Sequence, residues 1–170
     1  MHSCKAKRAM PPIQPQWQPF SNDALAMLAN HQLQAQKRIA MIAHDNKKTA
    51  LAAWAHSHQN TLCQHHLFAT ATTGALLRET LGLNVHCYQS GPLGGDLQIG
   101  AAVTEKRIDM LIFFWDPLAA QPHDPDVKAL LRLAVVWNVP LACNSSTADF
   151  LISSPYFNAP YGIQTDESPR

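Results

Sequence analysis

The chain has 170 residues, of which 46% are hydrophobic and only 15% are Asp, Glu, Lys or Arg, and its formal net charge is +1. This apolar content suffices for the core of one compact domain, and the lack of a broad basic field argues against nucleic-acid binding. No apolar run approaches the roughly 20 residues that a membrane-spanning helix needs, so we expect no membrane association.

The first segment of the chain carries no chemical motif. Residues 1–20 are rich in Pro and Gln and predict a disordered or loosely packed leader. Ser21-Asn22-Asp23 offers a helix cap, which predicts a short helix over residues 21–36.

The four cysteines, Cys4, Cys63, Cys87 and Cys143, have no C-x-x-C spacing. Such a pattern favours free thiols in a reducing compartment. We therefore expect a cytoplasmic protein.

From Arg38 onward, short apolar runs alternate with segments of helical periodicity. The predicted strands are 39–43, 67–69, 84–88, 110–114 and 139–143. Apolar residues repeat at helical spacing between them, from Leu51 to Leu62 and again from Val127 to Trp137. The alternation predicts an α/β fold: a single three-layer domain with a five-stranded parallel sheet and helices on both faces, as in Rossmann- or flavodoxin-like proteins.

A polar cluster follows each predicted strand. The clusters are His44-Asp45, 70–74, 90–96, 116–126 and 144–147. In open parallel sheets, ligands bind at the carboxyl ends of the strands, where loops and helix N-termini converge. We therefore predict a ligand site at this edge.

A threonine-rich turn, Thr70-Ala71-Thr72-Thr73-Gly74, leads from a strand into a helix. Its backbone N–H groups and hydroxyls suit a phosphate, which the helix dipole also favours. A capped helix start without a ligand explains the same residues equally well. Lys48, one turn into the helix after His44-Asp45, offers a positive charge to the same anion, although a lone lysine there is usually only solvated.

The segment Ser90-Gly91-Pro92-Leu93-Gly94-Gly95-Asp96 joins a flexible glycine loop to a carboxylate. A helix N-cap is the alternative role for Asp96. Asp116 ends a strongly apolar strand, where a carboxylate is rarely incidental, and His123 and Asp126 flank the start of the next helix.

The side chains of His44, Asp45, His123 and Asp126 are of the types that ligate metal ions. No pair of them has the compact helical spacing that preassembles a metal face. We therefore predict no metal ion.

Together these motifs resemble methylglyoxal synthase over residues 37–158, which we expect to form the catalytic domain. The resemblance is carried by His44-Asp45 with Lys48, the threonine turn, the glycine loop, Phe-Phe-Trp-Asp-Pro-Leu at 113–118 and Pro-His-Asp-Pro-Asp at 122–126. It implies a lyase that converts dihydroxyacetone phosphate to methylglyoxal and inorganic phosphate, without a metal or organic cofactor, and a homohexamer. The tail, residues 159–170, does not follow the usual ending of the family.

By position, the resemblance implies that Asp96 is the catalytic base. It implies further catalytic roles for His123, Asp116, Asp126 and Asp45, and substrate or phosphate binding by His44, Lys48, Thr70, Ala71, Thr72, Thr73, Ser90 and Gly91. Ala71 stands where the family has glycine, and we expect strain there if the position needs a left-handed backbone.

The expected mechanism begins with proton removal from the hydroxymethyl carbon of the substrate by Asp96. We expect the neighbouring carboxylates Asp45, Asp116 and Asp126 to raise the pKa of Asp96 enough for this task. His123 is expected to move protons between the two oxygens of the enediolate.

Two alternatives stay open at this stage. A regulatory domain of the same fold would bind a phosphorylated ligand without chemistry, although it would have no use for this set of acids and bases. An isomerase of the same triose phosphate would share the enediolate and differ only in keeping the phosphate.

Overall fold

The computed structural model describes residues 31–120 and 123–164, which contain seven strands. They are β1 His31–Leu33, β2 Arg38–Ala43, β3 His66–Ala69, β4 Val85–Cys87, β5 Met110–Phe114, β6 Leu141–Ala142 and β7 Tyr161–Ile163. Five of them form one sheet in the order β4-β3-β2-β5-β6, and every neighbouring pair in it is parallel. The predicted five-stranded parallel sheet is confirmed.

Helices cover both faces of this sheet. They are α1 Lys48–Ser57, α2 Gln59–Leu62, α3 Ala71–Leu81, α4 Gly95–Thr104, α5 Asp124–Val136 and α6 Ser145–Ser153, with 3₁₀ turns at Asp45–Lys47 and Gly91–Leu93. One core cluster joins α1, α3 and α6 to the sheet, and a second joins α4 and α5 to the opposite face. Along β2, Ile39 belongs to the first cluster and Ala40 to the second, because successive side chains of a strand point to opposite faces. The three-layer prediction is therefore confirmed.

Strands β1 and β7 form a separate antiparallel pair, with His31 opposite Ile163. The predicted helix over 21–36 is thus wrong at His31–Leu33, and its earlier residues, like the leader, lie outside the described residues. The strand forms there because β1 pairs with a segment about 130 residues away, a contact that helix-cap signals do not register. The pair lies outside the predicted 37–158 domain, and β7 falls in the segment predicted to be an atypical tail.

The parallel topology decides where the loops meet. The segments after β2, β3, β4 and β5 all leave the sheet at its carboxyl edge, so the predicted polar clusters share one side of the molecule. Within the described part of the chain, no helix has the length and apolar character needed to cross a membrane.

Candidate active site

A cavity of about 270 Å³ opens at the carboxyl edge of the sheet. Its lining residues are Ile42, Ala43, His44, Asp45, Thr70, Thr72, Ser90, Gly91, Pro92, Asp96 and His123. Apart from Ile42, Ala43 and Pro92, each of them is a residue that the sequence predicts for the site. The cavity therefore gathers side chains from four separate loops.

Asp96 is the most deeply buried acid of this cavity, with only 1% of its surface exposed. It is the second residue of α4, whose N-cap is Gly94, and it makes no capping hydrogen bond. A Cβ on the intervening Gly95 would lie 1.9 Å from the carbonyl oxygen of Gln89, so only glycine fits beside the loop. Oδ1 of Asp96 has no hydrogen-bond partner. These contacts do not support the alternative that Asp96 merely caps its helix.

Burial is the main cause of the pKa shift of the Asp96 carboxyl group. Loss of solvation raises the pKa of Asp96, nearby His123 and His44 oppose that rise, and Asp126 adds a smaller upward contribution. Of the three neighbouring acids expected to raise the pKa of Asp96, only Asp126 contributes, and its contribution is smaller than that of burial. A poorly solvated carboxylate binds a proton more readily, whatever other acids stand nearby.

Asp45 and Asp116, the two other acids expected to raise the pKa of Asp96, have bonding partners of their own. Asp45 has a side chain 91% exposed, and its Oδ1 lies 2.5 Å from Nζ of Lys48. Asp116 accepts a hydrogen bond from Nδ2 of Asn46 at 2.9 Å and another from the backbone N–H of Leu118 at 3.2 Å. These contacts lower the pKa of both acids, so each stays ionised at neutral pH.

Two histidines complete the wall of the cavity. Nε2 of His123 lies 3.5 Å from Oδ2 of Asp96, and the His44 and His123 rings meet edge to face at 5.7 Å. The backbone N–H of Asp116 donates to Nδ1 of His44 at 3.3 Å, which puts the proton of a neutral His44 on Nε2. Burial lowers the pKa of His44 and keeps the ring neutral.

Nε2 of His44 and Nδ1 of His123 are buried without a partner, like Oδ1 of Asp96. Because buried polar atoms normally have hydrogen bonds, three such atoms on residues of one cavity indicate a place for a polar ligand.

The threonine turn also contributes to the lining of the cavity. Thr70 precedes α3 and donates a hydrogen bond from Oγ1 to Oγ1 of Thr73 at 3.2 Å, while Thr70 and Thr72 line the cavity. Ala71 is the first residue of α3, and it is not among the described non-glycine residues with positive φ. The condition for strain at Ala71, a left-handed backbone, is therefore not met, and a right-handed helix start accommodates a Cβ.

Comparisons with known proteins agree with this geometry. A family model described as an MGS-like domain matches residues 50–143. Methylglyoxal synthase of Coxiella burnetii (strain RSA 493 / Nine Mile phase I) is 57% identical over 131 residues, which cover 77% of this chain and 92% of that protein. This chain belongs to the methylglyoxal synthase family.

Further relatives support the same family. Methylglyoxal synthase of Yersinia pestis (strain Pestoides F) is 53% identical over 143 residues, covering 84% of this chain and 93% of its own. The crystal structure of methylglyoxal synthase from Elizabethkingia anophelis NUHP1 superimposes with a TM-score of 0.77 at 50% identity, covering 81% of this chain and 90% of that one. The predictions of an enzyme of this type, a lyase with a small-molecule substrate, are confirmed.

Not every predicted residue of the synthase lines the cavity. The lining does not include Lys48, Ala71, Thr73, Asp116 or Asp126. Three of these contact or influence residues that do line it: Lys48 pairs with Asp45, Asp116 holds His44, and Thr73 accepts from Thr70. Asp126 acts on Asp96 through its charge.

One contact near the site was missed by the sequence analysis. Asn46 holds Asp116 across 70 positions of sequence, a pairing that no local pattern signals. Gly91 matters through its lack of a side chain, since a Cβ there would lie 2.9 Å from Nε2 of His123 and 3.1 Å from Oδ2 of Asp96. Within residues 31–120 and 123–164, no three His, Cys, Asp or Glu side chains are placed to hold a metal ion.

Proposed function

We propose that this enzyme converts dihydroxyacetone phosphate to methylglyoxal and inorganic phosphate, with Asp96 as the general base. The observation that carries the proposal is the set of buried unpartnered atoms on Asp96, His44 and His123 around one cavity. We propose that the carbonyl and hydroxyl groups of a triose phosphate supply partners to these atoms.

In the first step, the Asp96 carboxylate takes a proton from the hydroxymethyl carbon of the substrate. The C–H electron pair forms the carbon–carbon double bond of an enediolate. The burial that raises the pKa of Asp96 makes it a better base than an exposed carboxylate.

The histidines stabilise and redistribute charge in the enediolate. Neutral His44 donates its Nε2 proton to the carbonyl oxygen, because Nδ1 already accepts from Asp116. His123 carries the hydroxyl proton to the carbonyl oxygen, which leaves the negative charge on the terminal oxygen. Asp116 orients His44, and Asp126 helps to keep the pKa of Asp96 high.

Phosphate leaves in the next step. The terminal oxygen re-forms a carbonyl, the double bond shifts towards the methylene group, and the bond between that carbon and the phosphate oxygen breaks. The product is the enol of methylglyoxal, which gains a proton on its methylene carbon to become the ketone.

The threonine turn and the glycine loop are proposed to hold the phosphate. Thr70, Thr72 and Ser90 provide hydroxyls, Ala71 and Thr73 provide the helix start, and Gly91 leaves the space. Lys48, which pairs with Asp45 in the unliganded enzyme, supplies a positive charge to the incoming anion. A phosphate held out of the enediolate plane favours its elimination.

The test supplies dihydroxyacetone phosphate and measures inorganic phosphate, methylglyoxal and glyceraldehyde phosphate in one time course. We expect phosphate and methylglyoxal in equal amounts. Glyceraldehyde phosphate without phosphate release would show an isomerase, and saturable binding without any product would show a regulatory domain. Either result would overturn the proposal.

The proposal also covers the oligomeric state and the cellular location of the enzyme. Several large apolar side chains are exposed, with Leu118 94% and Phe150 79% accessible, as expected of subunit contacts. We expect a homohexamer in the cytoplasm that needs no cofactor. A monomeric mass by light scattering would contradict the assembly.

A further inference from the structure

Arg78 and Cys87 form a contact that the proposed mechanism does not use. Nη2 of Arg78, in α3, lies 2.5 Å from Sγ of Cys87, at the end of β4. The guanidinium is exposed and the thiol is partly accessible, so both groups are open to a small reagent.

The pair lies close to the catalytic cavity along the fold. Sγ of Cys87 fills the space beside Gly74, within 2.3 Å of where a Cβ on that residue would stand. Gly74 directly follows the threonine turn, and Ser90, three residues after Cys87, lines the cavity. The pair is thus linked to the lining of the cavity through Gly74 and through the residues that follow β4.

The proposed product is a ketoaldehyde, which reacts with exactly these two kinds of group. The two terminal nitrogens of a guanidinium add to its two carbonyl carbons, forming two C–N bonds and a five-membered ring. Loss of two water molecules leaves a methylene group where the methyl group was. The thiol then adds to that methylene carbon: a C–S bond forms, the S–H bond breaks, and a ring nitrogen takes the proton to give an aminoimidazole.

We infer that Arg78 and Cys87 form a capture site for methylglyoxal, at which the ketoaldehyde joins the two side chains covalently. The inference rests on the proposed function for the source of the reagent. The overall change is the addition of one methylglyoxal and the loss of two waters, a net gain of three carbon atoms with no oxidant or reductant. The short separation gives the thiol a high effective concentration at the methylene carbon.

The other described groups provide matched controls. Cys63 is also an exposed free thiol, but its Sγ contacts the carbonyl oxygen of Asn60. Arg107 is an exposed guanidinium that pairs with Glu105. We expect Cys63 to give only a reversible adduct and Arg107 to give an uncrosslinked ring.

The test treats the purified full chain with methylglyoxal itself, removes reversible adducts by dialysis and maps tryptic peptides by mass spectrometry. We expect a joined peptide pair, heavier by three carbon atoms and uncleaved after Arg78. The joined pair should be lost in Cys87→Ser and in Arg78→Lys, which keeps the charge but cannot close the ring. It should persist in Cys63→Ser, and circular dichroism checks that each variant is folded.

Separate adducts on Arg78 and Cys87 without joined peptides would overturn the inference, as would equal crosslinking through Cys63. A second arm replaces methylglyoxal with dihydroxyacetone phosphate. A crosslink with the ketoaldehyde but none with the triose phosphate would leave the capture site standing and count against the proposed function.

Discussion

The two edges of the parallel sheet both bury ionisable side chains, yet among the described residues the buried side-chain atoms without a hydrogen-bond partner all lie at the carboxyl edge. At the amino edge, the Asp109 carboxylate accepts the backbone N–H of Arg38 at 2.8 Å and its guanidinium at 2.6 and 3.0 Å. His65 is bonded at both ring nitrogens, by the backbone N–H of Lys37 at 3.1 Å and by Asn158 at 3.0 Å. Nζ of Lys37 donates to Ala159 and Gln34.

At the carboxyl edge, the buried atoms of Asp96, His44 and His123 lack such partners. Leaving a buried polar group unpaired costs about 1–3 kcal/mol. The difference indicates two roles within one sheet. The amino edge joins the segment before β2 to the residues after α6, and the carboxyl edge keeps donors and acceptors for a ligand. Substitutions of matched residues at the two edges test these two roles.

The largest expected effect is on turnover at the carboxyl edge. Asp96→Asn removes the proposed base while keeping its shape, so we expect kcat for phosphate release to fall by about 10²–10⁴. Asp109→Asn makes the same chemical change to a buried acid at the other edge, and its turnover per folded molecule should stay near the wild-type value. Near-normal turnover by Asp96→Asn would show that Asp96 is not the general base.

The amino edge should respond in stability instead. Asp109→Asn puts an amide group where Arg38 offers three donors, so we expect the free energy of unfolding to fall by about 2–3 kcal/mol. Urea denaturation measures the change. An unchanged midpoint would mean that the satisfied edge does not stabilise the fold.

A smaller effect is expected from Asn46→Ala, which acts through Asp116. Loss of the Asn46 hydrogen bond should raise the pKa of Asp116, because that bond is the main cause of its lowering. We expect kcat to fall by about tenfold as His44 loses its alignment. The acidic limb of the kcat/KM profile should stay in place, because the general base Asp96 sets it and Asp116 is not among the groups that shift the pKa of Asp96. Asn46→Asp, which adds a negative charge, should not restore the activity.

The residues of the site were predictable because the sheet is parallel and buried on both faces. Continuous apolar runs such as Met110–Phe114 identify the strands, and polar residues that follow them must meet at one edge. The pairing of β1 with β7 and that of Asn46 with Asp116 were not predictable, since each joins segments far apart in sequence.

The electrostatic reasoning from sequence failed for a related reason. Several acids near one site suggest mutual repulsion, but the sequence does not show that Lys48 pairs with Asp45 or that Asp96 is almost completely buried. Burial depends on how the glycine loop packs, which is a tertiary property. The same burial gives the last prediction.

The smallest expected effect is a pH-dependent gain in stability from Asp96→Asn. Because the folded state raises the pKa of Asp96, the neutral acid is favoured in the fold. The contribution of Asp96 to the free energy of unfolding is fully present below pH 3.8, the ordinary pKa of the group. It is lost as the pH rises through the folded-state pKa. Asn is neutral at every pH, so the advantage of the variant in free energy of unfolding should grow through that window and then level off.

Asp45→Asn is the matched control, since Lys48 lowers the pKa of the exposed Asp45. Asp45 therefore contributes stability above pH 3.8, and this stability is lost as the pH falls through its folded-state pKa. Relative to the wild type, Asp45→Asn should thus become less stable as the pH rises. Urea midpoints across a pH series measure both trends. If the difference in free energy of unfolding between Asp96→Asn and the wild type did not change with pH, ionising the buried carboxylate would cost no stability. The contrast between the two edges would then rest on hydrogen bonds alone.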